Sequence, residues 1–137
     1  MSENAKKPHL LDSFALLAFL NHEQGFAKVR ELLQSARATH EPLLMNEINI
    51  GEVYYIIAKG RSLDQAEDFL HRFETLPIQR LSNTFHEVLE AAKVKAQFPL
   101  SYADAFVVAT AQRAQSVVVT GDPEFRTVAH LIDIVWL

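Results

Sequence analysis

Near its C-terminus the chain reads Ser116-Val117-Val118-Val119-Thr120-Gly121-Asp122-Pro123. Three consecutive valines are typical of a strand that is covered on both faces, as strands of a parallel sheet are. The glycine, aspartate and proline that follow predict a turn directly after this strand. Because parallel strands need long crossover connections, which are usually helical, the stretch indicates an α/β fold.

The rest of the chain has the alternation that such a fold requires. Short apolar segments predict strands at 9–11, 43–45, 77–81, 116–120 and 132–136. Between them, apolar residues at helical spacing predict helices that begin near Ser13, Gly25, Asn46, Ser62, Ser82 and Ser101. Strands and helices in this order predict a parallel sheet with helices on both faces.

The composition is that of a single domain. The chain has 137 residues, of which 49% are hydrophobic, enough for a core without disulfides. It has no cysteine, which excludes disulfides and thiolate zinc sites. We expect a loose tail at 1–7, one domain at 8–137 and a cytoplasmic location, since neither a secretory signal nor an apolar run of about 20 residues is present.

The charge balance limits the kinds of partner. The formal net charge is −4, whereas proteins that bind nucleic acids by general phosphate attraction are usually basic. A nuclease remains compatible with this charge, because a metal ion can bring the positive charge to the phosphate.

Four acidic residues end or interrupt apolar segments: Asp12, Glu52, Asp104 and Asp122. Burial of a carboxylate without a partner costs several kcal/mol. In open parallel sheets ligands bind beyond the carboxyl ends of the strands, where Asp12 and Asp122 are predicted to lie. Four carboxylates gathered there favour a shared divalent cation with oxygen ligands.

Three of these acids also have a simpler interpretation as helix caps. Asp12 and Asp122 each precede a predicted helical turn, and Asp104 follows Ser101 in an S-x-x-D pattern. Taken singly, capping explains Asp104 and Asp122 better than a ligand role does. For Asp12 the two interpretations have about even weight by cap preferences.

Glu52 does not fit the capping interpretation. It shares a predicted helix face with Ile48, Tyr55 and Ile56, which we expect to be buried, although a surface position at the edge of that face stays open. Glu47, in the first turn of the same helix, only complements the helix dipole. We therefore select Glu52 as the acid that this helix contributes.

Other residues carry weaker signals. Ser13 and Thr120 adjoin the acids and are candidates to support them, with ordinary capping equally open. Lys93, Lys95, Arg113 and Arg126 are candidates for contact with a phosphate backbone. The phenylalanines, Phe14 among them, are most simply core residues. Serine-hydrolase, P-loop and dinucleotide-binding motifs are absent, and the histidines lack zinc-site spacing.

With these residues identified, the chain resembles the PIN-domain ribonucleases, and most closely the VapC-type toxins of toxin–antitoxin pairs. The resemblance lies in four segments that occur in order: Leu10-Leu11-Asp12-Ser13, Asn49-Ile50-Gly51-Glu52-Val53-Tyr54-Tyr55, Leu100-Ser101-Tyr102-Ala103-Asp104-Ala105-Phe106 and Val118-Val119-Thr120-Gly121-Asp122-Pro123-Glu124-Phe125. One departure concerns Gly121, which stands where many relatives carry a basic or polar residue.

The resemblance implies a three-layer α/β/α, PIN-like fold around a mainly parallel sheet of four or five strands. It also implies a Mg²⁺- or Mn²⁺-dependent endoribonuclease that cleaves single-stranded RNA, forms a homodimer and is inhibited by a cognate antitoxin. The metal-binding and catalytic residues would be Asp12, Glu52, Asp104 and Asp122.

Three alternatives remain open at this point. One is a PIN nuclease of RNA maturation that has no antitoxin. Another is a Mg²⁺-binding receiver-like phosphoacceptor domain, which is disfavoured because the segment 76–81 contains no aspartate. The third is a binding module that keeps the fold without catalysis, which the presence of all four acids disfavours.

Overall fold

The computed structural model of the protein describes residues 7–137. The predicted tail, 1–7, lies outside the described residues except for Lys7. The Nζ atom of Lys7 lies 2.8 Å from Oδ2 of Asp133, so this residue is paired with the last strand.

Five strands form one sheet, in which every neighbouring pair is parallel. The spatial order is β3-β2-β1-β4-β5. The strands are β1 (His9–Leu11), β2 (Leu43–Asn46), β3 (Ile78–Leu81), β4 (Val117–Thr120) and β5 (Asp133–Trp136). All five correspond to predicted strands.

Helices connect the strands. They are α1 (Ser13–Leu20), α2 (Phe26–Thr39), α3 (Glu47–Gly60), α4 (Leu63–Phe73), α5 (Phe85–Gln97) and α6 (Tyr102–Ala114). A 3-10 helix, Pro123–Val128, joins β4 to β5. In the described part of the chain, none of the helices has the length and apolar character needed to cross a lipid bilayer.

Polar side chains at strand-to-helix junctions fix where several helices begin. Oδ1 of Asn46 accepts a hydrogen bond of 2.9 Å from the backbone N–H of Ile48 and so caps α3. Thr84 and Glu87 form a complete capping box at α5, with bonds of 3.2 and 3.0 Å. Local chemistry thus accounts for these helix starts.

The two faces of the sheet are both covered. Leu11, Met45 and Val119 point to one face and pack with residues of α1 to α4. Leu10 and Val118 point to the other face, against α6 and the 3-10 helix. Because side chains alternate along a strand, adjacent residues enter different cores. The predicted three-layer α/β/α arrangement is therefore confirmed.

The sheet order also decides one of the alternatives. Receiver domains have the strand order 2-1-3-4-5, with the first strand next to the third. Here β1 lies between β2 and β4. The receiver-like interpretation is therefore wrong for this chain.

Two expectations about burial are wrong. Ile48, Tyr55 and Ile56 are exposed, and α3 instead buries Asn49, Ile50 and Val53. An apolar helix with no strongly preferred face gives an ambiguous pattern, and the contacts with α4 and α6 select the buried side.

Phe14 is the second exception. It was expected in the core with the other phenylalanines, but 40% of its surface is exposed. It occupies the second position of α1, next to the turn that follows β4.

Candidate metal centre

The sheet topology opens a crevice beside β1. From β1 the chain proceeds to β2 and β3 on one side, and it returns to β4 and β5 on the other. At such a switch point the connections leave in opposite directions, and ligands bind beyond the carboxyl ends of the strands. Asp12 directly follows β1, and Asp122 follows β4 after one intervening residue. The topology thus brings two predicted acids to the same crevice.

Asp12 is buried and held by both of its carboxylate oxygens. Oδ1 accepts a hydrogen bond of 2.8 Å from the backbone N–H of Ala15. Oδ2 accepts one from the hydroxyl of Thr120. Burial raises the pKa of Asp12 to about 7, against the lowering effect of these two hydrogen bonds, and the charges of Asp104 and Asp122 add to the rise. Asp12 therefore caps α1 and also faces other acids.

Asp104 lies in the first turn of α6 and faces three other carboxylates. Its pKa is raised to about 7, mainly by burial and then by the charges of Asp122, Glu52 and Glu124. The hydroxyl of Ser101 lowers this pKa, with an effect smaller than that of burial. Asp104 is thus a point where charges from three chain segments meet.

The capping interpretation of Asp104 accounts for only part of its environment. Oγ of Ser101 accepts a hydrogen bond of 3.1 Å from the backbone N–H of Asp104, as a capping residue does. Unlike the box of Thr84 and Glu87, this cap has no reciprocal backbone bond to the Asp104 carboxylate among the described residues. The carboxylate is left available to the crevice.

Glu52 projects from α3 toward the same place. It is half-buried, and its Oε1 atom is buried with no hydrogen-bond partner in residues 7–137. One turn earlier, Nδ2 of Asn49 donates a hydrogen bond of 3.1 Å to the carbonyl oxygen of Ala103. This bond holds α3 against the start of α6, so it fixes Glu52 relative to Asp104.

A fifth acid, Glu124, was missed by sequence reasoning. One carboxylate oxygen each from Asp104, Asp122 and Glu124 lie within 4.8 Å of one another. Oδ1 of Asp122 caps the 3-10 helix by accepting a bond of 2.9 Å from the N–H of Glu124. An acid at the start of a helix is ordinary by its local sequence, and only the proximity of α6 distinguishes this one.

The two supporting candidates differ in what the structure shows. Thr120 bonds Asp12 through its hydroxyl, as expected for a residue that supports the acids. Ser13 is buried at the first position of α1. Its supporting role stays a prediction.

Basic residues are not equally placed around the acids. Arg113 pairs with Glu87 at 3.2 Å and with Glu90 at 3.0 Å. It also lies nine residues along α6 from Asp104, which corresponds to about 13 Å of helix. Lys93, Lys95 and Arg126 are exposed. Arg113 is therefore the weakest of the four candidates for a phosphate contact beside the acids.

The family model described as the PIN domain matches residues 9–131, nearly the whole chain. The chain belongs to the PIN-domain family. The resemblance found in the four sequence segments is thereby confirmed, and the acids of this PIN domain lie at the switch point of its sheet.

Solved structures agree with this PIN-domain fold. A chain of VapBC2 from Rickettsia felis, bound to a DNA fragment from its promoter, is 13% identical with a TM-score of 0.73, covering 94% of this chain and 98% of that chain. A chain of DNA-bound VapBC from Salmonella typhimurium is 17% identical with a TM-score of 0.73, covering 94% and 97%.

A third similar structure is VapC20 of Mycobacterium tuberculosis, described as a Sarcin-Ricin loop cleaving toxin. It is 12% identical with a TM-score of 0.71, covering 91% of this PIN domain and 97% of that chain. At these identities the likeness establishes the fold. No curated protein matches the chain at a significant level.

Proposed function

We propose that this PIN domain is a metal-dependent endoribonuclease that hydrolyses phosphodiester bonds in single-stranded RNA. The observation that carries the proposal is the proximity of Asp104, Asp122 and Glu124, together with the charge interactions that link Asp12 and Glu52 to this group. These interactions make the ionisation of Asp12 and Asp104 costly. Such a cluster is unfavourable unless a cation compensates it.

The donor set fits a hard divalent cation. Carboxylate oxygens are the ligands that Mg²⁺ and Mn²⁺ prefer, and the chain has no cysteine to favour a softer metal. Oxygens of Asp104, Asp122 and Glu124 lie within 4.8 Å of one another. Oε1 of Glu52 is buried and has no hydrogen-bond partner among the described residues. We propose that Asp12, Glu52, Asp104 and Asp122 are metal-binding and catalytic, with Glu124 as an additional ligand.

The chain's own groups would prepare the site for hydrolysis. A bound divalent cation supplies positive charge to the phosphate and makes water more acidic. Thr120 and the N–H of Ala15 hold Asp12 in one orientation. Asp12 and Asp104, each with a pKa of about 7, keep protons near neutral pH without a counter-charge and would release them as the cation binds.

We further propose that the protein is the toxin of a toxin–antitoxin pair, located in the cytoplasm, that forms a homodimer. Solved relatives of the same fold are VapBC complexes, and one is described as a cleaving toxin. The exposed apolar side chains of Ile48, Tyr55 and Ile56 on α3 also support a protein partner, because such surface is usually covered in an assembly.

The test is cleavage of single-stranded RNA by the purified chain after metal removal, with Mg²⁺ or Mn²⁺ then restored. We expect no cleavage in chelator, cleavage with either ion, and none with Asp104→Asn. Cleavage that persists in chelator would contradict the proposal.

The antitoxin is tested separately, by co-purification from the native operon. A small protein that co-purifies and stops cleavage supports the toxin. An active nuclease with no such neighbour supports a role in RNA maturation instead.

A further inference from the structure

The aromatic ring of Phe14 packs closely against Gly121. A Cβ atom built on Gly121 would lie 2.3 Å from Cε1 and 2.7 Å from Cζ of Phe14. Contacts this short do not occur between real atoms, so the ring occupies the space that any other residue at 121 would fill. The ring of Phe14 thus fills the space that a side chain at position 121 would need, which explains why glycine stands there.

This pair lies between the acids that follow β1 and β4. Phe14 is two residues after Asp12, and Gly121 directly precedes Asp122. The ring therefore rests on the turn that carries one acid, while its own helix begins at the other.

The ring keeps much of its surface free. Phe14 is 40% exposed, whereas Phe19, Phe69, Phe73 and Phe106 are buried. Exposed aromatic surface is costly in water, at about 25 cal/mol per Å². An aromatic ring that packs on a turn at one edge and is exposed over the remainder, near a candidate active site, can bind a flat partner on its free face.

We propose that the ring of Phe14 stacks against a nucleobase of single-stranded RNA next to the phosphate that is cleaved. The inference rests on the proposed ribonuclease function and names how that site holds its substrate. Unstacked bases bind aromatic side chains, while bases within a duplex have their faces covered. Phe14 is therefore a substrate-binding residue that selects single-stranded RNA.

Stacking suits a site with this charge. The acids repel phosphate, and Gly121 offers no cationic side chain in the turn before Asp122. Contact with a base face does not depend on net charge, so it adds affinity where phosphate contacts are scarce. Asp12 and Asp122, which are close in the chain to Phe14 and Gly121, favour a base, with its polar edges, over an apolar protein anchor, which needs an apolar rim.

The test compares Phe14→Ala, Phe14→Leu and Phe14→Trp in RNA binding and in cleavage. Binding is measured by fluorescence anisotropy with a short labelled single-stranded oligoribonucleotide and Mg²⁺, in the Asp104→Asn background so that the probe is not cut. Stacking is worth about 1–3 kcal/mol per base, so we expect Ala and Leu to weaken binding by roughly 5- to 150-fold. Trp should retain binding, and the loss in cleavage should fall mainly on KM.

A second substrate series isolates the contact. A single abasic nucleotide is placed in turn at each position near the cleavage site. In the native protein, the abasic nucleotide should weaken binding at one position of the RNA. In Phe14→Ala, an abasic nucleotide at that same position should have no further effect. Gly121→Ala should weaken binding with Phe14 present, because it displaces the ring, and should have little effect in Phe14→Ala.

Phe85 provides the control, since 75% of its surface is exposed and it opens α5, a helix that carries none of the five acids. Phe85→Ala should leave RNA binding and cleavage unchanged.

If the native protein cleaves RNA but Phe14→Ala has unaltered KM and unaltered abasic sensitivity, the stacking proposal is wrong and the nuclease proposal stands. Loss of protein-partner binding with normal RNA binding in Phe14→Ala would also overturn it. If the native protein neither binds nor cleaves RNA, both proposals fail.

Discussion

The hydroxyl of Thr120 donates a hydrogen bond to Oδ2 of Asp12, across the junction of β4 and β1. The same Oγ1 atom accepts a bond of 3.0 Å from the backbone N–H of Asp122. One side chain therefore ties together the acids that follow two neighbouring strands. The pairing of β1 with β4 therefore fixes the relative positions of Asp12 and Asp122.

Thr120→Val should disturb this connection without changing the side chain's shape. It removes the hydrogen-bond partner of Oδ2 of Asp12 and that of the N–H of Asp122, and an unpaired buried group costs about 1–3 kcal/mol. Since the Thr120 bond lowers the pKa of Asp12, its loss should raise that pKa above about 7 and move the acidic limb of the activity–pH profile upward. Thr120→Ser keeps the hydroxyl and is the control. Identical profiles for the Val and Ser variants would contradict this role.

Asp104→Asn should abolish RNA cleavage while stabilising the metal-free protein. A carboxyl group whose pKa is about 7 in the folded state and 3.8 as its ordinary value binds more protons when folded. Its stabilising contribution is therefore present below about pH 4 and lost as the pH rises to about 7.

Asp104→Asn has no carboxyl group at this position and so does not lose stability in this way as the pH rises. In urea unfolding with chelator present, we expect the free energy of unfolding of Asp104→Asn to exceed that of the native chain by on the order of 1–4 kcal/mol at alkaline pH. The difference should shrink at acidic pH. A variant that is less stable than the native chain at alkaline pH would show that repulsion at Asp104 is not significant.

Asn49→Ala tests whether α3 and α6 are held in register. Loss of the 3.1 Å bond from Nδ2 leaves the carbonyl of Ala103 without this donor and should lower the free energy of unfolding by about 1–3 kcal/mol. Because Glu52 follows on the same helix, the Mn²⁺ concentration for half-maximal cleavage should also rise. The same unfolding loss with unchanged Mn²⁺ dependence would limit Asn49 to a structural role.

Glu124→Gln tests the acid that was missed. We expect a higher Mn²⁺ concentration for half-maximal cleavage, with activity recovered at saturating Mn²⁺, since Asp104 and Asp122 remain. Glu23→Gln is the matched control, because Glu23 is exposed beyond the far end of α1. If both variants respond to Mn²⁺ as the native chain does, Glu124 is not a ligand.

The fold could be read largely from local signals. Short apolar strands, helical spacing of apolar residues and polar residues at helix starts, such as Asn46 and Ser101, gave the element order correctly. The buried side of α3 could not be read, because its apolar residues occupy more than one face and neighbouring helices make the choice.

The site shows the same division between local and tertiary information. A site made of Asp12, Glu52, Asp104 and Asp122 was predicted from strand ends and the family resemblance. In the structure, oxygens of Asp104 and Asp122 lie within 4.8 Å, and the charge of Asp104 acts on Asp12 and that of Glu52 on Asp104. Glu124 could not be recognised from its sequence context, where an acid near a helix start is ordinary. The fit of Phe14 over Gly121 joins residues that are far apart in the chain, so no local pattern indicates it.

Mn²⁺ binding followed by electron paramagnetic resonance tests most directly whether the carboxylates share a cation. For the native chain we expect saturable loss of the free Mn²⁺ signal at one or two sites. That binding should be strongly weakened in Asp104→Asn and unchanged in Glu23→Gln. Equal Mn²⁺ binding by the native chain and Asp104→Asn, or none by the native chain, would contradict the proposed metal centre.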